Sequence, residues 1–128
     1  MILNFFGKEL KKDFDYNFLQ GIKSDFVYRK RNDNSEIFVY LKPIQLLNES
    51  FSIHFLFHNA ILTDFTLHSR EHKYEEAHSL HVKWLEENFG QYKTYRETEI
   101  HYITDEYDFY ADYDPRSGSA EIICKVLK

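Results

Sequence analysis

The sequence His68-Ser69-Arg70-Glu71-His72 has the spacing H-x-x-E-H. On a helix, that spacing sets two imidazoles one turn apart to hold zinc while the glutamate activates a water for hydrolysis. Glu75, His78 and His81 follow and could add ligands. Position weighs against this chemistry, because His68 falls where a strand gives way to a helix and the motif belongs inside one. His81 also shares the apolar stripe of that helix, where a hydrogen-bonded core histidine is the ordinary explanation. His68, Glu71 and His72 therefore stand as an alternative: a histidine-dependent metal protein or small metallohydrolase.

A second pairing comes from the run Phe51–Phe57, which alternates Phe51, Ile53, Phe55 and Phe57 with Ser52, His54 and Leu56. A three-residue loop, His58-Asn59-Ala60, would set Phe57 opposite Ile61, Ile53 opposite Phe65 and His54 opposite Asp64. A histidine oriented by a carboxylate is two thirds of a triad. Ser52 and Thr66 share that face, but no activating turn surrounds either, so a cross-strand charge pair is the simpler expectation. Cys124 lies mid-strand on an inward face and reads as an inert thiol. No catalytic residue and no cofactor is assigned.

The third constellation is acidic. Glu97, Glu99, Asp105, Glu106, Asp108, Asp112 and Asp114 fall within one segment that holds no Lys or Arg. Strand alternation places Asp108, Tyr110 and Asp112 on one face, with Asp114 beside them at a turn. A solvated sheet edge is one reading. A surface that binds a protein partner is the other, since tyrosine contributes contact area at low entropy cost and carboxylates steer a basic partner. Asp108, Tyr110, Asp112 and Asp114 are the partner-binding candidates.

These side chains need elements to position them. Glu71–Phe89 reads as one long helix, spanning about residues 70–89, with Ala77, Leu80, His81, Trp84, Leu85 and Asn88 on one stripe. Glu71, Glu75 and Glu76 suit its positive end, Ser69 is placed as N-cap, and Gly90 as the left-handed residue past its end. Almost everything else reads as strand. Phe26–Arg31 and Glu36–Leu41 flank a turn as a hairpin, with Arg31 opposite Glu36. Ile37, Val39 and Leu41 on one face and Phe38 and Tyr40 on the other make the second strand apolar on both sides, which suggests a central position. Asp114-Pro115-Arg116-Ser117-Gly118 is turn chemistry between Glu106–Tyr113 and Ser119–Leu127. Lys8–Gly21 has near-helical spacing. The fold class expected is α+β: an antiparallel sheet built from hairpins and packed against one long helix, in a single domain over residues 1–128.

Composition limits the function. Hydrophobic residues at 43% and aromatics at 18% of 128 residues argue for a packed core. A net charge of −5 lacks the basic footprint that nucleic acid requires. One cysteine fits a reducing compartment, the N-terminal apolar run is too short for a secretion signal, and no run nears the roughly 20 apolar residues of a membrane span. A cytoplasmic, membrane-free location is expected. A homodimer through a sheet edge or aromatic patch stays open.

From Trp84 onward, WLEENFG, a spacer of alternating aromatic and polar residues, and then YDPRSGSAEIICKV resembles small bacterial proteins of unknown function. Some of these are similar to immunity proteins of polymorphic toxin systems, acidic proteins that block a toxin by binding it. The resemblance covers roughly the C-terminal third. It departs from the pattern at Asp105-Glu106-Tyr107-Asp108, where such families usually carry a Trp-Gly pair. It implies a protein partner and assigns no residue a role.

Overall fold

The structure, a computed structural model, describes residues 2–46, 49–69 and 74–128. The N-terminal segment forms a small hairpin, β1 (Asn4–Phe5) and β2 (Lys8–Glu9), then helix α1 (Tyr16–Gly21). Phe6 and Gly7, at φ 51° and 74°, make its tight turn. Helix spacing over Lys8–Gly21 thus yields only the last six residues as helix, started by Asp15, whose side chain accepts from the Phe18 N–H.

A nine-stranded antiparallel sheet follows, made of β3 (Phe26–Lys30), β4 (Ser35–Tyr40), β5 (Ile44–Leu46), β6 (Glu49–His58), β7 (Ile61–Ser69), β8 (Lys93–Arg96), β9 (Glu99–Ile103), β10 (Tyr107–Asp114) and β11 (Ser119–Val126). Strand order is β3-β4-β6-β7-β11-β10-β9-β8, with β5 paired to the start of β6. Helix α2 (Tyr74–Phe89) connects β7 to β8. The chain is therefore α+β, a large antiparallel sheet packed with one long helix. No helix among the described residues is long and apolar enough to cross a membrane.

One sheet face is covered. Phe38, Phe55, Phe57, Leu67, Ile122, Cys124 and Phe109 point to it and are fully buried. Helix α2 lies over β9, β10 and β11, where Trp84 meets Phe109 and Phe89 edge to face. The N-terminal segment covers the other half: Phe5 packs on Phe26, Tyr40 and Phe55, and Phe14 on Phe55 and Phe57. Tyr107 joins the halves. Its hydroxyl accepts from the Leu3 N–H at 3.1 Å and donates to the Leu10 carbonyl at 2.7 Å. His81 is buried on the α2 stripe, its ring 5.9 Å from Phe51.

Several local expectations change. Asn59 and Ala60 both take positive φ (51° and 63°), so the β6–β7 loop is a two-residue turn with His58 opposite Ile61. A bulge at Leu56/Phe57 then shifts the register, setting His54 opposite Thr66, Leu56 opposite Asp64 and Ile53 opposite Leu67. Leu62 goes to the core and Ile61 is left 47% exposed. In the β3–β4 hairpin Lys30, not Arg31, faces Glu36. Asp33 explains the slip: its Oδ1 accepts from both the Ser35 N–H and hydroxyl, so Ser35 begins the strand. Ser69 ends β7 opposite Phe51, and the approach to α2, where Ser69 is expected as N-cap and Glu71 in the first turn, lies outside the described residues. Gly90 does not take a left-handed φ; the chain continues from α2 into a 3-10 turn over Gly90–Tyr92.

Candidate functional site

The second face of the sheet carries the chemistry. Alternation from each buried strand residue sends His54, His68, Glu121, Asp112, Tyr110, Asp108, His101, Glu99 and Arg96 to this side. The helix contacts of Trp84 and of Tyr16 are with residues of the opposite face. These side chains form two clusters, and the clusters differ in kind.

The first is closed. His101 is buried and touches carboxylates with both ring nitrogens: Nδ1 lies 2.6 Å from Asp108 Oδ1 and Nε2 lies 2.9 Å from Glu99 Oε2. Both nitrogens can donate only when the ring carries two protons. Arg96 Nη1 reaches Asp108 Oδ2 at 3.4 Å, and the Tyr110 ring lies 4.8 Å from the imidazole. Strands β8, β9 and β10 are tied together here by side chains as well as by backbone.

The second cluster is open and unbalanced. Asp112 lies directly opposite Glu121 across β10 and β11, two carboxylates at a cross-strand position where like charges repel. Burial and then Asp112 raise the Glu121 carboxyl above its usual range. The Tyr110 phenol is raised first by burial and then by Glu99, Asp112, Glu121 and Asp108. The counter-group of Glu121 is His68, whose Nε2 is 3.2 Å from Glu121 Oε2. The His54 ring sits 4.3 Å from His68, and burial followed by that neighbour depresses His54 to about 4. His68, too, is lowered by burial.

The four candidate partner-binding residues divide between these settings. Asp108 is buried at 6% exposure and held by His101 and Arg96, so it supports the fold and is not a free surface carboxylate. Tyr110 and Asp112 are half-buried on the uncovered face, and Asp114 is exposed in the turn, where its Oδ1 accepts from the Arg116 N–H. Strand β10 is flanked by β11 and β9, so the acidic strand is not an edge of the sheet order. His54 does not face Asp64, and no triad geometry forms there.

For the metal reading, Glu71 and His72 lie outside the described residues, and His68 pairs with Glu121. Among the described residues no group of three or more His, Cys, Asp or Glu side chains is arranged to hold a metal ion. Cys124 is buried and its thiol is pushed well up, first by burial and then by Asp64 and Asp108, as an inert core cysteine should be. Compared with protein-family models, with curated proteins and with solved structures, the chain matches none.

Sequence reasoning passed over Glu121 and His101. For Glu121 the signal was present, since the turn that joins Asp114 to Ser119 fixes Asp112 opposite Glu121. For His101 it was not, because Asp108 reaches it from the next strand and residue type does not set the β9–β10 register.

Proposed function

We propose that this chain is a non-enzymatic protein-binding module, cytoplasmic in setting, whose C-terminal hairpin presents Tyr110, Asp112, Asp114 and Glu121 to a basic partner. The observation that carries it is the Asp112–Glu121 pair. Folding gains nothing from two carboxylates set opposite each other on a half-buried sheet face, whereas a cationic partner group placed between them gains from both. Tyrosine beside them supplies the apolar contact typical of protein interfaces. The resemblance to toxin-neutralising immunity proteins points to the same class of action.

The test is to capture proteins from extracts of the source cells with the wild-type chain and with an Asp112→Lys/Asp114→Lys variant. A partner retained by the first and lost by the second is expected. Equal retention by a folded variant would overturn the assignment of this surface.

A further inference from the structure

Strands β9 and β10 run side by side but pair only at Asp108–Ile103 and Phe109–Tyr102. Beyond Phe109, β10 continues to Asp114 with every residue paired to β11, and none of these residues has a ladder partner on β9. Strand β9, from Glu99 to Tyr102, is meanwhile paired to β8. The β8–β9 hairpin thus peels away from β10. His101 and its two carboxylates sit at the fork.

The fork encloses a cleft of about 380 Å³. Glu99 and Ile100 form one wall, Asp112 and Tyr113 the other, and His78 and Val82 of α2 the floor. Val82 is 36% exposed and the rings of His78 and Tyr113 are 5.7 Å apart. His78 Nδ1 is buried there with no hydrogen-bond partner among the described residues. The cleft therefore combines a strand edge without a ladder partner on β9, an apolar floor, an imidazole nitrogen without a hydrogen-bond partner among the described residues and a carboxylate on each rim.

We infer that this cleft seats an extended, basic segment of the partner protein, which adds as a strand against Ala111–Asp114. Adding a strand satisfies the open backbone edge, and alternate side chains then point to the floor and to the rim. At ~3.3 Å per residue, four residues of β10 match roughly 13 Å of partner chain. Apolar partner residues meet Val82 and Ile100. Lysine or arginine at alternate positions meets Glu99 and Asp112. The rim carboxylates also keep the edge from pairing with another copy of itself. This inference rests on the protein-binding reading above and narrows it to one place and one backbone conformation.

The probe is an acetylated and amidated heptapeptide alternating lysine with valine, titrated into the full chain and followed through backbone amide resonances. Saturable shifts at Ala111–Asp114 and at Thr98–Ile100 are expected. Methylating alternate peptide nitrogens should weaken binding by roughly tenfold or more, and a glutamate–valine peptide should not bind. Asp112→Lys and, separately, Val82→Arg should each weaken it by roughly tenfold while leaving the folded spectrum in place. Absence of shifts at these residues, equal binding of the methylated peptide, or shifts confined to His54, His68 and Ile123 would overturn the inference. If the peptide misses the cleft while partner capture still depends on Asp112, only the strand-addition idea falls. If it seats in the cleft while capture ignores Asp112 and Asp114, the hairpin surface falls instead.

Discussion

Two charged clusters lie a few residues apart on one sheet face, and they treat charge in opposite ways. Around His101 every carboxylate has a cationic or hydrogen-bonding partner, and His101 and Asp108 are sealed from water. Around Glu121 two carboxylates face each other, with the half-buried His68 3.2 Å from Glu121 alone. A buried charge is kept only when it is paired, so the first cluster is part of what holds β8, β9 and β10 together. The second is tolerated because it is not sealed. Acidic residues close in sequence thus serve different ends: Asp108 supports the fold and Asp112 remains available.

Removing Asp108 should have the largest effect. Asp108→Ala leaves His101 facing an empty position in a buried site, and a loss of roughly 3–5 kcal/mol is expected, measurable by urea unfolding. A loss under about 1 kcal/mol, the scale of an exposed pair, would erase the distinction between the clusters.

A smaller effect comes from pH. His54 titrates near 6.5 in an unfolded chain and near 4 in the fold. The unfolded state takes up that proton first, so stability falls as pH drops from about 6.5 towards 4 and then levels off. His68, lowered by burial, adds to this slope, and Glu121, raised by burial and by Asp112, opposes it. His54→Gln should flatten the curve in that window. An unchanged curve would mean that the open cluster is wetter than its geometry implies.

The smallest change in stability, and the most telling, belongs to Asp112→Lys. It sets a lysine opposite Glu121 and turns a repulsion into an attraction, a gain of about 0.2–1 kcal/mol in thermal or chemical unfolding. The same variant should lose the partner. Better folding with poorer binding is the signature of a residue kept for function, and a destabilised variant would argue that Asp112 has a structural role.

How far such distinctions were legible in the sequence depends on how local their causes are. The alternation of Phe51, Ile53, Phe55 and Phe57 is local, and all four are buried. So are Ala120, Ile122, Cys124 and Val126, and the Asp114–Gly118 turn, closed by the Gly118 N–H on the Asp114 carbonyl at 2.8 Å. The β6–β7 register was not legible, because alternation on Phe51–Phe57 fits a two-residue or a three-residue loop until the bulge near Thr63 is known. Thr63, whose hydroxyl donates to the Leu56 carbonyl at 3.2 Å, gives no sign of that in its residue type. Asp108 shows the same limit at the candidate site. Its face could be read from the strand pattern, but its burial comes from Arg96 and His101 on neighbouring strands.

The order of the strands also has a consequence for how the chain is made. The ladders β3–β4, β4–β6 and β6–β7 can close as each strand emerges, and so can β8–β9, β9–β10 and β10–β11. The two sets meet along one seam, β7 against β11, from Glu121–His68 to Lys125–Asp64. During synthesis the first set must wait with β7 unprotected on that side until β11, which follows β8, β9 and β10 in the chain, has left the ribosome. Long-range closure of this kind is slow relative to hairpin formation. The His68–Glu121 contact on that seam would then be among the late marks of a completed molecule, made only once both halves have found each other.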